Sequence, residues 1–217
     1  PRSTRVRSSA ASDVYKRQVN TVLNDNGKLI GYNTDGYGFM QSVRDAGHDI
    51  TGKNITVMGV GGASMAICAQ SALDGAASVH IFARRTSRYW NRTQKFAENL
   101  SAKTGCQVCL FDNDDHTALR DSIAQSYLLI NATSVGMVPD IDDTIIKDTS
   151  LFHPELVVAD VVYEPQETRL LREAKAAGCQ TFNGMYMLLH QGAKAFQIWT
   201  GQEMPVSVIK EKYFSVK

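Results

Sequence analysis

Ile55-Thr56-Val57-Met58-Gly59-Val60-Gly61-Gly62-Ala63-Ser64 is the stretch on which the reading of this chain turns. Ile55–Gly59 is a short apolar run that ends in glycine, which predicts a strand. Ala63–Leu73 then carries Ala, Met, Ile and Cys at helical spacing, which predicts a helix. A strand that passes through glycines into a helix lets the backbone approach a pyrophosphate. It also aims the free N–H groups and the positive dipole end of the helix at that anion. The spacing is G-x-G-G-A rather than G-x-G-x-x-G, and a glycine loop alone would indicate no more than a tight turn. Its strand–loop–helix setting makes it a dinucleotide loop, with contacts expected at Gly59, Val60, Gly61, Gly62, Ala63 and Ser64. No Gly-Lys-Ser/Thr follows, which excludes a Walker loop.

Downstream, strands and helices alternate. Strands are expected at Ser78–Phe82, Gln107–Phe111, Tyr127–Asn131 and Leu156–Val162, the last apolar throughout, as suits a strand covered on both faces. Helices are expected at Asn91–Lys103, His116–Gln125, Glu167–Ala177 before Gly178, and Met185–Thr200 before Gly201. The fold class is therefore α/β, a Rossmann-like doubly wound parallel sheet. Upstream, Thr21-Val22-Leu23 and Lys28-Leu29-Ile30 flank Asn24-Asp25-Asn26-Gly27, a hairpin signature in which Asn-Gly favours a primed turn. A hairpin this small cannot stand alone, so it reads as the edge of something larger.

Composition narrows the function. Net charge is +1 over 217 residues, which gives no field for nucleic acid or an anionic membrane. No apolar run reaches the ~18–20 residues of a membrane span. Residues 1–18 differ: Arg2, Arg5, Arg7, Lys16 and Arg17 face a single acid, Asp13, without apolar periodicity. They read as a foreign or mistranslated leader, with a transit peptide as the alternative. Cys106 and Cys109 form a Cys-x-x-Cys without the second pair a zinc site needs, so the four cysteines read as small apolar residues. The five histidines are scattered and read as structural, and no metal is expected.

The expected second strand ends in Phe82-Ala83-Arg84-Arg85-Thr86-Ser87-Arg88. A fold that prefers NAD places an acid about 20 residues beyond the glycines, on the ribose hydroxyls. This segment has no carboxylate and three guanidiniums, which suit a 2′-phosphate and hence NADP. The competing reading is a solvated basic loop. Asn33-Thr34-Asp35-Gly36 could be a turn, with Asp35 capping a helix over Tyr37–Ala46, or a catalytic site. Gln191 lies on an otherwise apolar helix face, as a satisfied core amide or a substrate contact.

Together these pieces resemble the shikimate dehydrogenases, and within them the quinate/shikimate dehydrogenase branch. The likeness runs from about Val19 to the C-terminus. It rests on Asn20-Thr21, Asn33-Thr34-Asp35-Gly36, Gly59–Ser64, Arg84–Arg88, Asn131-Ala132-Thr133-Ser134-Val135-Gly136-Met137, the Asp160–Leu171 segment, and Gly184 with Met187 and Gln191. The resemblance implies reversible, NADP-dependent interconversion of 3-dehydroshikimate and shikimate, with NAD as the alternative cofactor. It implies substrate contacts at Asn20, Asp35, Tyr163 and Gln191, with Asp35 working beside a lysine. Cofactor contacts would be the glycine loop, Arg84, Arg85, Thr86, Ser87 and Arg88, then Asn131, Thr133, Val161, Gly184 and Met187.

The sequence departs from the family in three ways. Nothing around Lys16 matches the motif of the family's lysine. Thr86 stands where the quinate/shikimate branch often carries an acid, which favours NADP. Tyr186 replaces a glycine and would crowd the nicotinamide pocket. The expected division is a leader (1–18), a remnant of a substrate domain (19–36), a dinucleotide domain (37–203) and a C-terminal segment (204–217). The whole would be a cytoplasmic enzyme of aromatic amino acid biosynthesis whose partner is shikimate or quinate. Neither nucleic acid nor membrane is expected, and a homodimer is left open. A non-catalytic dinucleotide-binding module is the rival reading.

Overall fold

The computed structural model describes residues 19–214; the leader read over residues 1–18 lies outside them, as do residues 215–217. The chain opens with a hairpin of β1 (Thr21–Asp25) and β2 (Lys28–Tyr32), paired antiparallel and joined by Asn26-Gly27. Both turn residues have positive φ, 50° and 88°, the geometry that Asn-Gly favours in a two-residue primed turn. Helix α1 (Asp35–Asp45) follows. Then come β3 (Asn54–Met58), α2 (Gly62–Leu73), β4 (Ser78–Ala83), α3 (Trp90–Thr104), β5 (Gln107–Asp112), α4 (His116–Gln125) and β6 (Leu128–Asn131). A 3₁₀ turn (Thr149–Leu151), β7 (Val157–Asp160), α5 (Arg169–Ala176), β8 (Gln180–Phe182), α6 (Met185–Thr200) and a short α7 (Val206–Ile209) complete the order, with a π turn over Lys210–Phe214.

The central sheet is parallel throughout, in the order β5-β4-β3-β6-β7-β8. The fold is a Rossmann-like α/β sheet, wound in both directions from β3. Alternate residues of each strand feed two apolar layers. Ile55, Val57, Val79, Ile81, Leu128 and Ile130 face α1, α2 and α3. Met58, Phe82, Leu129 and Val158 face α4 and α5. Coverage on both sides explains why these strands read as continuous apolar runs. Each fully buried large side chain, such as Phe39, Ile55 or Phe82, contributes roughly 1.5–3 kcal/mol.

The structure corrects two expectations. β8 is an additional strand: three residues are too few to show a period, and only its pairing with β7 defines it. Helix α1 begins at Asp35, so Asp35 is its first residue and not its cap. Asn33 Oδ1 instead accepts the Asp35 amide at 3.0 Å. The hairpin does not stand apart from the rest of the fold. It is a small sheet within one continuous unit, tied to α6 where the Trp199 indole N–H donates to the Val22 carbonyl at 3.0 Å.

Candidate active site

The strand order reverses between β3 and β6, and open sheets of this kind bind ligands at the C-terminal edge of such a switch point. The glycine loop lies there. Gly59 has φ +110°, and a Cβ on it would come within 2.8 Å of the Ala132 carbonyl and the Thr133 methyl, so only glycine fits. Its amide donates to the Phe82 carbonyl at 2.8 Å, which binds the loop to the end of β4. Ser64 is fully buried, and its hydroxyl donates back to the Gly59 carbonyl at 2.5 Å. Its side chain therefore closes the loop and does not face solvent. Gly61 is the N-cap of α2, and a Cβ there would meet nothing within 4 Å. That open side, with no side chain capping the helix, leaves the first amides of α2 available to a phosphate. The donor set fits a dinucleotide pyrophosphate.

Arg84, Arg85, Thr86 and Arg88 are exposed beyond β4, with Ser87 half-buried. The turn is held by Ser87 N–H to the Arg84 carbonyl at 2.9 Å.

A second group of residues meets where β1, α1 and α6 converge. The Asn20 amide nitrogen lies 2.8 Å from Asp35 Oδ1, 3.0 Å from Thr34 Oγ1 and 3.1 Å from Gln191 Oε1. Its carbonyl oxygen accepts Thr34 N–H at 3.0 Å. One NH₂ has two hydrogens for three acceptors, so acceptor capacity is left over for incoming hydroxyl groups. Two glycines allow α1 to reach this point. A Cβ at Gly36 would strike the Ala66 carbonyl of α2, and one at Gly38 would lie 2.7 Å from Met187 O and Gln191 N of α6. The close α1–α6 crossing is what carries Gln191 to Asp35, across 156 residues of sequence. Thr34, buried at 2% exposure, is a member of this cluster that side-chain chemistry alone did not single out.

With this geometry in view, comparison with known proteins is direct. Residues 184–212 match the model described as "Shikimate 5'-dehydrogenase C-terminal domain". The chain is 52% identical over 196 residues to a shikimate dehydrogenase (NADP(+)) of Listeria innocua, covering 90% of this chain and 67% of that protein. The chain belongs to the shikimate dehydrogenase family. It is 41% identical over 193 residues to a quinate/shikimate dehydrogenase of Escherichia coli O139:H28, with 89% and 67% coverage. It therefore spans about two thirds of the length of these curated relatives. A crystal structure of shikimate 5-dehydrogenase from Listeria monocytogenes, in complex with shikimate and NAD, superposes with a TM-score of 0.91. That match has 46% identity and covers 97% of this chain and 74% of that one. By family, the chain is that of an NAD(P)-dependent oxidoreductase.

The remaining candidate residues divide by role. Asn131 is 1% exposed and fully engaged. Its amide donates to Val135 O at 3.1 Å and Asp160 Oδ1 at 3.0 Å, and its oxygen accepts from Thr133 Oγ1 at 2.6 Å. Asp160 also accepts from Val162 N–H and from Thr168 Oγ1, the N-cap of α5. Burial raises the Asp160 carboxyl above the usual carboxylate range, against these three hydrogen bonds. This network anchors the loops beyond β6 and β7. Between them lies a cavity of about 310 Å³ lined by Thr133, Met137, Val138, Val161, Val162, Tyr163 and Glu164. Gly184 packs against the Val161 carbonyl, so Val161 and Gly184 border the same edge.

Tyr163 is 44% exposed on this cavity and makes no hydrogen bond to the Asn20–Asp35–Gln191 cluster. Met187 places its side chain in the core, and its carbonyl faces Gly38. The Tyr186 ring lies 4.0 Å beneath Lys210 Nζ of the C-terminal segment. Three of the five histidines have structural partners: His48 with Tyr127 Oη, His80 with Ser122 Oγ, and His190 with Asp45 at 3.0 Å. Burial pushes the Cys68 thiol up to about 12 and Cys106 to about 11, as inert core thiols require. Among the described residues no group of three ligating side chains could hold a metal ion. No helix there is long and apolar enough to cross a membrane.

Proposed function

We propose that this chain binds NADP(H) at the switch point and shikimate at the Asn20–Asp35–Gln191 cluster. It would serve the reversible NADP-dependent interconversion of 3-dehydroshikimate and shikimate in aromatic amino acid biosynthesis, in the cytoplasm. The observation that carries this reading is the cluster itself. Three segments far apart in sequence bring a carboxylate, two amides and the Thr34 hydroxyl together with surplus acceptors, which matches a polyhydroxylated ring. Its neighbour is an open glycine loop with arginines beyond. The bound cofactor supplies hydride transfer. Asp35 accepts a hydrogen bond from the reacting hydroxyl and takes part in its proton transfer, while Gln191 and Asn20 orient the ring. Tyr163 is assigned to the substrate side, and Thr133, Val161 and Gly184 to the nicotinamide side.

The family's lysine has no matching motif in the sequence, so the chain assayed by itself should bind NADPH and turn over little shikimate. The division at residues 18, 36 and 203 belongs to the same proposal. The test has two arms. NADPH should bind in a fluorescence titration, and failure to bind would overturn the reading. NADPH formation from shikimate at saturating NADP should fall far below ordinary turnover, and ~1 per second or more would refute the need for the lysine. Joined to the lysine-bearing part of a relative, Asp35→Asn should cost about 10²–10⁴ in rate with NADPH affinity kept. A second reading, quinate or shikimate oxidation with NAD, draws on the Listeria monocytogenes relative solved with NAD. The same titration with NADH decides between them.

A further inference from the structure

The arginines beyond β4 are not equivalent. The guanidinium carbon of Arg85 lies 4.6 Å from the centroid of the Trp90 ring, and that of Arg88 lies 4.8 Å from the centroid of Tyr89. Arg88 Nη2 also donates to Tyr89 Oη at 2.7 Å. The two rings are consecutive residues at the start of α3, and they are themselves well held. Trp90 is only 8% exposed. Its amide donates to the Ser87 carbonyl at 3.0 Å, and the Tyr89 amide donates to Ser87 Oγ at 3.3 Å. The Arg84–Trp90 loop is thus a hydrogen-bonded turn with an aromatic shelf under two of its three guanidiniums.

We propose that Tyr89 and Trp90 are positioning residues for cofactor choice. They hold Arg88 and Arg85 in place for the phosphomonoester on the adenosine ribose and so set the preference for NADP(H) over NAD(H). The inference rests on the dinucleotide reading of this end of the sheet. Its physical basis is the shape of the guanidinium group. A ring engages the flat π face, while a phosphate engages the N–H rim, so one arginine can do both at once. Tyr89 Oη takes one of the five N–H donors of Arg88 and leaves the rest. A solvated arginine loses rotamer freedom when it grips an anion. One already held against a ring has lost part of that freedom beforehand, so more of the contact appears as affinity. NAD(H) has no phosphate at that position and gains nothing from the arrangement.

The opposite sign is also physically defined. Arg85 and Trp90 line a cavity of about 400 Å³ that also holds Gln94 and Glu98. If the ring drew Arg85 toward this cavity and away from the cofactor, removing the ring would strengthen NADPH binding. The experiment is a pair of titrations, NADPH and NADH at fixed ionic strength, on the wild-type chain and on Tyr89→Leu, Trp90→Leu, Tyr89→Phe and Trp90→Phe. Each leucine variant should weaken NADPH about threefold, within the exposed cation–π range, and leave NADH unchanged. The phenylalanine variants, which keep a ring, should recover most of the loss. Trp90→Leu combined with Arg85→Ala should be no worse than Arg85→Ala alone. Equal weakening of both cofactors, or a higher NADPH-to-NADH preference, would overturn the proposal. Tyr89→Leu decides alone if Trp90→Leu does not fold. Wild-type chain that binds neither cofactor would refute the dinucleotide reading itself, and this inference with it.

Discussion

Replacing Gly38 by alanine tests how the Asn20–Asp35–Gln191 cluster is assembled. The added methyl would lie 2.7 Å from Met187 O and from Gln191 N, and 2.9 Å from Gln191 Cβ. Two of these neighbours are backbone atoms of α6, so no side chain can swing aside. Ordinary contact begins near 3.4 Å, so α1 and α6 must part by about 0.7 Å. Overpacking of this kind costs roughly 1–3 kcal/mol. Alanine recovers about 0.5–1 kcal/mol of helix propensity, which leaves a net loss of up to about 2.5 kcal/mol. The same displacement would stretch the Asn20–Gln191 contact from 3.1 Å to about 3.8 Å, beyond hydrogen-bond reach. Gly192 on α6 is the control. A methyl there meets nothing within 4 Å, so Gly192→Ala should stabilise by about 0.5–1 kcal/mol. Urea unfolding of both variants, at unchanged m-value, provides the comparison. If Gly38→Ala proves as stable as Gly192→Ala, the close crossing does not set the cluster and the argument fails.

Three further outcomes are expected. Ser64→Ala removes the donor to the Gly59 carbonyl, so stability should fall by about 1–3 kcal/mol and NADPH and NADH should weaken equally; selective loss of NADPH would place Ser64 on the ribose phosphate instead. Because burial raises the folded-state carboxyl of Asp160, its contribution to stability is full below the ordinary carboxylate value of 3.8. It is lost as pH rises through the raised value. Asp160→Asn should therefore gain relative to wild type as pH climbs from about 4 toward neutrality, in urea midpoints read against pH, and parallel curves would contradict the shift. Val22, Trp199, Val208 and Tyr213 are 48–69% exposed, so the chain should self-associate on concentration. Val208→Ser with Tyr213→Ser should shift sedimentation toward the monomer, and a wild type that stays monomeric at every concentration would dismiss that apolar surface.

The sequence alone determined the local order of this protein. Apolar runs covered on both faces, glycines at Gly59–Gly62 and the Asn26-Gly27 turn are encoded by neighbours in the chain, so the strand–loop–helix unit and the hairpin could be read directly. The chemical character of Arg84–Arg88 was legible for the same reason: charge belongs to the side chain wherever it lies. What neighbours cannot encode is which distant segments meet. From its neighbours Asp35 reads as a turn residue, a helix cap or a catalytic group; only the fold shows that the helix starts at it and that the Asn20 amide joins it to Gln191. Strand β8 has no signal within its own three residues and exists only through pairing with β7. Ser64 and Asn131 are expected beside the cofactor by motif, and only the fold shows that their side chains also hold the loops there, because buried polar groups must find partners inside the fold. The roles of Gly36 and Gly38 as the spaces through which α1 passes α2 and α6 follow only from packing, since the absence of a side chain has no meaning until a second backbone occupies its place.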